Sequence, residues 1–302
     1  MSPLQPTTTP SAAPTWQCVM VCWGTKYPVG LINHLMDRVA RQTAQPPRFV
    51  LITDREHPEL RPGVLVRQFP DYWLQPQFKT AGCHAKLAMF EKGVLPDDLP
   101  AVYIDLDTVI MGDMHEALSF MDDERTVLIF QSAIIPFGPL GRLIFRLTDG
   151  RKYARGNSSI VVFHPKHNHF IAERFKAVYA QHPDFRFPPM IADERFISWS
   201  AQPHMKRLPK SFAVKFPNEF MFPREGWLRF KARLPWVRAR REGLTAITLC
   251  GLDIKPEKLL ALNDADVIQD NKARKLVWST RVMGSAKQKI IDFYQPIVSL
   301  LS

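Results

Sequence analysis

Residues 103–110 read YIDLDTVI, an apolar run that carries two carboxylates two positions apart, Asp105 and Asp107. Side chains alternate between the faces of a strand, so both aspartates are predicted to point the same way, with Cα atoms roughly 6–7 Å apart. A buried carboxylate needs a metal, a cation or an opening to solvent. If the strand ends here, the pair can bind one divalent cation; hard oxygen ligands favour Mg²⁺ or Mn²⁺, with positions left for substrate phosphates. The pattern predicts an enzyme that handles a nucleotide diphosphate. The alternative is that one aspartate caps a helix or closes a turn.

The segments before this run predict alternating strands and helices. Residues 16–23 are typical of a buried strand, and apolar residues between 31 and 39 recur at helical spacing. A second apolar run follows at 49–52, and a short helical pattern at 85–92. This order favours an α/β fold with an open sheet, flanked by helices, that binds ligands at the carboxyl ends of its strands. The loop Gly24–Tyr27 and the aspartate pair both fall at such ends.

The pattern is looser in the second half of the chain. The predicted elements there are a strand at 158–163, a helix at 170–179, a loop-rich region at 183–223, a short strand at 245–250 and a short helix at 256–262. Residues 287–301 carry apolar side chains at helical spacing, and Pro296 is predicted to break or kink that helix. We therefore divide the chain into a disordered leader (1–15), one main domain (16–265) and a C-terminal helical extension (266–302).

The composition of the chain indicates a cellular compartment. Residues 1–15 lack the charged and apolar regions of a signal peptide, and no run reaches the ~18 apolar residues of a membrane span. The four cysteines form no C-x-x-C pair, which favours reduced thiols. These features predict a cytoplasmic or cytosol-facing protein.

The net charge of +11 is concentrated in two segments. Residues 224–242 contain seven cations and two anions, and residues 142–155 contain five cations and one anion. Local positive charge implies an anionic partner. We interpret 224–242, with its two tryptophans, as a basic patch that contacts an anionic membrane surface peripherally and is not one continuous helix. The alternatives are direct binding of an acidic acceptor and a solvated basic surface. Because no nucleic-acid motif accompanies these cations, a nucleic-acid partner is not expected.

Five motifs, in order, resemble those of the GT-A glycosyltransferases, in particular the glycogenin and lipopolysaccharide galactosyltransferase-like group. They are Val21–Tyr27, Ala85–Phe90, Tyr103–Thr108, Gly156–Val161 and Ala192–Ile197. The resemblance covers most of residues 16–262. It implies a single GT-A-like, Rossmann-like open mixed sheet, a nucleotide-diphospho-sugar donor, and a glycan or lipid-linked acceptor.

The same resemblance assigns roles to individual residues. The nucleotide side would comprise Gly24, Thr25, Lys26, Tyr27, Lys86, Asp105 and Lys255, with Asp105 and Asp107 holding Mn²⁺ or Mg²⁺. Asn157, Asp193 and Glu194 would act at the donor sugar, with retention of anomeric configuration. From the residue pattern alone, the loop is predicted to be an ordinary turn and Lys86 a solvated helix lysine. For Asp193 and Glu194, a loop salt bridge is the alternative to the sugar-site role.

One departure from the family pattern concerns the third metal ligand. The family commonly places a His just ahead of a Gly and a Lys-Pro pair. This chain keeps Gly251 and Lys255-Pro256 but has Thr248 or Cys250 in place of the His. Asp253 is a possible substitute.

Two other functions remain open. A haloacid-dehalogenase-type phosphatase also uses an apolar strand followed by D-x-D, with the first Asp as nucleophile. Its signature has a Gly between the second Asp and a Thr, whereas Thr108 directly follows Asp107 here. The non-enzymatic alternative is a membrane-binding protein that uses its basic segments.

Overall fold

The computed structural model describes residues 13–132, 134–251 and 254–301. Its strands are β1 (Trp16–Cys22), β2 (Pro47–Thr53), β3 (Leu65–Gln68), β4 (Ala101–Ile104), β5 (Thr108–Ile110), β6 (Val127–Gln131), β7 (Gly156–Phe163), β8 (Met205–Arg207), β9 (Ala213–Lys215), β10 (Met221–Phe222), β11 (Ala246–Thr248), β12 (Asp266–Gln269) and β13 (Lys275–Trp278). Its α-helices are α1 (Val29–Gln42), α2 (Pro139–Leu147), α3 (Pro165–Asn168), α4 (Phe170–Gln181), α5 (Asp193–Ser200), α6 (Phe216–Phe220), α7 (Glu225–Lys231), α8 (Pro235–Glu242), α9 (Pro256–Leu260), α10 (Thr280–Met283) and α11 (Ala286–Tyr294). The predicted leader falls mostly on residues 1–12, which lie outside the described residues.

Seven strands form one mixed sheet in the order β3-β2-β1-β4-β7-β6-β8. β1 pairs in parallel with both β2 and β4, whereas β7 is antiparallel to its neighbours β4 and β6. Both faces of the sheet are covered, which explains why all seven residues of β1 are buried. Cys18, Met20 and Cys22 pack into one core with α1, and Val19 and Val21 pack into a second core on the opposite face. The predicted α/β fold class is confirmed.

The reversed direction of β7 brings distant residues to one edge of the sheet. The carboxyl ends of β1, β2 and β4 lie at that edge, because these strands are parallel. Since β7 runs the other way, its amino end lies at the same edge, with Ile160 opposite Ile104 and Gly156 opposite Gln131. Asn157 and Ser158 therefore lie beside the residues that follow β4.

The aspartate pair follows the end of a strand, as predicted, but the two residues lie in a turn, so strand alternation does not orient their side chains. β4 ends at Ile104, and the backbone N–H of Thr108 donates to the Asp105 carbonyl (3.1 Å), which closes a turn over residues 105–108. β5 then joins a separate three-stranded sheet, in the order β5-β11-β9. Thr108 pairs there with Thr248, and Leu249 N–H donates to the Asp107 carbonyl (2.9 Å). The turn therefore connects the large sheet to the segment 248–251, which lacks the His expected from the resemblance.

Other elements differ from the prediction in detail. The helix expected at 85–92 is a buried 3₁₀ helix at His84–Phe90, and the region 183–223 contains α5, α6 and three short strands. As predicted, the last helix is interrupted near Pro296: α11 ends at Tyr294, and a 3₁₀ helix follows over Gln295–Leu300. The segment 266–302 is not helical throughout, since β12 and β13 form an antiparallel hairpin that pairs with β10.

Candidate active site

Lys86 is the centre of a buried charge cluster at the carboxyl edge of the sheet. Its side chain is 8% exposed, and its Nζ lies 2.8 Å from Asp105 Oδ1 and 3.5 Å from Asp193 Oδ2. Burial disfavours the charge on Lys86, but the two carboxylates outweigh it and raise the pKa of Lys86 well above its ordinary value. The Tyr103 hydroxyl also donates to Asp105. The expectation of a solvated lysine is therefore wrong, because its packing and its ionic partners come from other elements.

The first turn of α5 supplies the acidic pair. Asp193 is buried, and its Oδ2 accepts a hydrogen bond of 2.6 Å from the Ser158 hydroxyl. Its backbone N–H donates to the Gly82 carbonyl (2.9 Å), which fixes the start of the helix. Next to it, the Asn157 amide donates to the Glu194 carboxylate. The structure thus brings the three residues predicted for the sugar side together with Lys86 and Asp105.

Asp107 differs from Asp105 in that one of its carboxylate oxygens has no partner among the described residues. Its Oδ1 is buried and, within the part of the chain that the structure describes, has no hydrogen-bond partner. Burial, followed by repulsion from Asp105, raises the pKa of Asp107 to about 6. Positive charges on Lys255, Lys86 and Lys26 act in the opposite direction. A carboxylate with an unpaired oxygen, close to several lysines, is suited to bind a divalent cation that itself carries a bound anion.

A cavity of about 400 Å³ opens beside Asp107. Its walls include Thr25, Lys26 and Tyr27 from the loop after β1, together with Lys255. Lys26 Nζ lies 5.0 Å from the centroid of the Tyr27 ring.

Three residues predicted for the nucleotide side do not line this cavity. They are Gly24, Lys86 and Asp105. Gly24 has φ +63°, a conformation that favours glycine, and its N–H donates to the Asp54 carboxylate (3.1 Å). Its part is therefore to shape the loop that carries Thr25, Lys26 and Tyr27.

The residues around Asp107 fit a divalent cation. Asp105 and Asp107 offer hard oxygen ligands, and Asp107 Oδ1 has no hydrogen-bond partner among the described residues. The described residues contain no group of three or more His, Cys, Asp or Glu side chains arranged to hold a metal. Thr248 lies in β11, and burial raises the pKa of the Cys250 thiol, so Cys250 is a poor ligand. Leu252 and Asp253 lie outside the described residues, and so does the suggestion that Asp253 replaces the His.

Sequence reasoning missed several residues of this region. Tyr294 lines the cavity although it belongs to α11, and its buried hydroxyl has no partner among the described residues. Leu300 and Leu301 line the same cavity. Their only signal in the sequence was apolar helical spacing, which is also the signal of an ordinary core helix. Tyr103 was read as part of the apolar run before the aspartates.

The basic segment 224–242 forms α7 and α8, and Pro235 begins the second of these helices. Its cations are not equivalent. Arg241 is buried and donates to Glu219 Oε1 (2.7 Å), and Arg240 donates to Glu219 Oε2 (2.7 Å). Arg240 and Arg241 are therefore tied to the fold, whereas Arg238 is exposed. Gly226 does not interrupt α7.

Among the residues that the structure describes, no helix combines the length and apolarity needed to cross a bilayer.

No protein-family model and no curated protein matches the chain. Its fold, however, is similar to those of solved glycosyltransferases. The galactosyltransferase LgtC, solved in complex with donor and acceptor sugar analogs, aligns over 93% of this chain and 95% of its own, with a TM-score of 0.55 and 11% identity. The bifunctional glycosyltransferase WbbM aligns over 95% of this chain and 50% of its own, with a TM-score of 0.53 and 12% identity. Apo GlyE from Streptococcus pneumoniae aligns over 81% and 56%, with a TM-score of 0.50 and 15% identity. The chain therefore has the GT-A glycosyltransferase fold that its motifs predict.

Proposed function

We propose that this protein transfers a sugar from a nucleotide-diphosphate donor to an acceptor hydroxyl. The observation that carries the proposal is the contrast between two adjacent aspartates. Asp105 is neutralised by Lys86, whereas Asp107 has an unpartnered oxygen beside a cavity with Lys26 and Lys255. A carboxylate near several lysines, with one buried oxygen that is unpaired among the described residues, fits a site that receives a divalent cation together with a diphosphate.

Each residue then has a defined task. Tyr27 and Thr25 would contact the base and ribose, and Lys26 and Lys255 would donate to the diphosphate oxygens. Asp105 and Asp107 would hold Mn²⁺ or Mg²⁺, which when bound neutralises charge on the leaving diphosphate. Lys86 would hold Asp105 in a fixed orientation, because its ammonium is already fixed by two carboxylates.

At the sugar side, we propose that Asp193, Glu194 and Asn157 act on the donor sugar. Asp193 and Glu194 are held by Ser158 and Asn157, so their negative charge has a fixed position from which to stabilise an oxocarbenium-like sugar. Retention of configuration is proposed from the family resemblance. Asp193→Ala should lower turnover while nucleotide affinity stays within a few fold. Weaker nucleotide binding with normal turnover at saturation would contradict this role.

The test of the function is a thermal-shift screen of UDP-, GDP- and CDP-sugars, with and without Mn²⁺. A matching donor raises the melting temperature by mass action, and the shift should require the metal. Asp107→Asn should lose this metal-dependent shift, with calorimetry as the second measurement. A phosphate-release assay on generic phosphoesters serves as the control for the phosphatase alternative. Release of phosphate without any donor-dependent shift would reject sugar transfer.

The surface of α7 and α8 favours a second proposal, contact with the cytosolic face of an anionic membrane that carries the acceptor. Trp227, Phe230 and Trp236 are 47%, 51% and 68% exposed, and exposed arginines lie among them. Aromatic rings beside cations are typical of interfacial segments. An acidic acceptor bound directly by these cations is the rival.

Vesicle co-sedimentation separates the two. Binding should rise with anionic lipid, fall with salt, and drop at least about fivefold in Trp227→Ser/Trp236→Ser. Val66→Ser/Val267→Ser, at exposed apolar positions on β3 and β12, is the control. Equal recovery in the supernatant at every lipid composition would reject the membrane contact and favour the acidic acceptor.

A further inference from the structure

Two adjoining cavities lie against α7, α8 and α10, away from the candidate active site. The first, of about 230 Å³, is lined by residues that include Arg233, Arg238 and Arg281. The second, of about 250 Å³, shares Arg233 and Arg281 with the first and adds Arg229. We call the pair the arginine cleft. None of its lining residues lines the cavity at Asp107.

The arginine cleft has more positive charge than the fold neutralises. Arg233, Arg238 and Arg281 are exposed, and among the described residues none has an acidic side chain within salt-bridge distance. Arg229 is paired with Glu225 (2.6 Å), and Glu242 in the wall offsets one further charge. Guanidinium groups gathered around one concavity repel one another unless an anion joins them.

The wall of the arginine cleft is held in place by buried contacts. Arg241, which also lines the cleft, donates to the Val282 carbonyl (2.5 Å) and to the Glu219 carboxylate (2.7 Å). These bonds tie α8 to α10 and to α6. Because the backbone around the arginines is fixed in advance, a ligand would lose little affinity to ordering it.

We propose that the arginine cleft binds a phosphate group. Guanidinium forks match the geometry of phosphate oxygens, and a phosphomonoester carries about two negative charges at neutral pH. The source of the group is a lipid headgroup or a free phosphate compound. This site needs no nucleotide, metal or sugar, so it does not depend on the proposed transferase reaction.

The experiment compares wild type with Arg233→Gln/Arg281→Gln and with the matched control Arg125→Gln/Arg146→Gln. The control removes the same charge from exposed arginines outside the cleft. Inorganic phosphate at constant ionic strength should raise the melting temperature of wild type and control, and calorimetry should show at least tenfold weaker binding to the cleft variant. Donor-dependent thermal shifts should be the same in all three proteins.

Vesicles of phosphatidylcholine, with and without phosphatidic acid, identify the source. If the cleft variant alone loses the binding that depends on phosphatidic acid, the group is a lipid headgroup. If all three proteins bind vesicles equally and the cleft variant alone loses the thermal shift caused by inorganic phosphate, the group is a free phosphate. Arg238→Gln provides a second variant if the double one does not fold. Phosphate shifts and vesicle binding that are the same in the cleft variants and the control would overturn the proposal.

Discussion

In the metal-free protein at neutral pH, the ionised Asp107 side chain lowers the free energy of unfolding. Burial and the neighbouring Asp105 raise the pKa of Asp107 from its ordinary value of 3.8 to about 6, so folding favours the protonated form. Below pH 3.8 Asp107 is protonated in both the folded and the unfolded protein and costs no stability, whereas the penalty develops as the pH rises from 3.8 and is complete above 6. Asp107→Asn should therefore increase the free energy of unfolding by about 1–3 kcal/mol at pH 8, and the gain should disappear near pH 4.

Urea unfolding across pH 4–8, without metal, measures that difference. Asp292→Asn is the control, because Asp292 is exposed and accepts a hydrogen bond from Gln288 on the same helix. A difference between Asp107→Asn and wild type that stays constant across this pH range would contradict the assignment.

Removal of the Lys86 ammonium should lower the free energy of unfolding. Lys86→Met leaves Asp105 and the buried Asp193 without their cation, which should cost about 2–4 kcal/mol at pH 7. Adding Asp193→Asn to that variant should recover part of the loss, with a coupling energy above about 1 kcal/mol. Lys206→Met is the control, since its pair with Asp122 is exposed and should contribute at most about 1 kcal/mol. Additive losses by urea unfolding would show that Lys86 and Asp193 do not interact.

The partners of Lys86 show what a sequence can reveal about single residues. The motifs predicted Asp105, Asp193 and Asn157 as site residues, and the structure places all three within one cluster. The burial of Lys86 was not predictable from its own segment, because the carboxylates that stabilise its charge lie on other elements. Whether these residues act in catalysis stays a prediction.

Among the elements, α6 and α8 are joined by a buried ion cluster. The Glu219 carboxylate accepts hydrogen bonds from Arg240 and Arg241, and Lys231 Nζ lies 3.4 Å from Glu219 Oε2. Glu219→Gln should lower the free energy of unfolding by about 3 kcal/mol, because it leaves the buried Arg241 without a counter-charge. The exposed pair of Arg229 and Glu225 offers a matched comparison.

Glu225→Gln removes the same charge from that exposed pair and should cost less than about 1 kcal/mol. Thermal and urea unfolding check both variants. Similar losses for the two would mean that the contacts of Glu219 with Arg240 and Arg241 contribute no more than an exposed ion pair.

The edge strands β3 and β8 are partly exposed and were not predicted, whereas central strands such as β1 and β7 were predictable because both faces of the sheet are covered, so that they read as apolar runs. That Thr108–Ile110 forms a strand of another sheet was not predictable, because Leu106 is buried and the apolar run continues through the turn. Periodicity records which side chains are buried, and it does not record which sheet buries them. The short elements between 183 and 223 depend on tertiary contacts in the same way.

Across the whole molecule, the two ends of the described chain meet at one cavity. Residues 25–28 come from the loop after β1, whereas Tyr294, Leu300 and Leu301 come from the last helical segment. Ile290, Phe293 and Tyr294 also belong to the core that contains β1 and α1. The boundary proposed at residue 265 stays a prediction, but residues 266–301 supply part of both the core and the cavity wall.

Truncation separates these two contributions. A chain of residues 1–294 loses Leu300 and Leu301 from the cavity but keeps α11, so it should fold and bind the nucleotide sugar about tenfold more weakly, a loss of ~1.4 kcal/mol. A chain of residues 1–265 also loses Trp278, Ile290 and Phe293 from the core and should not unfold cooperatively. Leu300→Ser/Leu301→Ser in the full chain should reproduce the weaker binding, which excludes an effect of chain length. Calorimetry with the donor from the thermal-shift screen measures donor binding by the two truncated chains and by the Leu300→Ser/Leu301→Ser variant. Unchanged affinity in the 1–294 chain would show that the C-terminal segment lies beside the cavity without contacting the nucleotide.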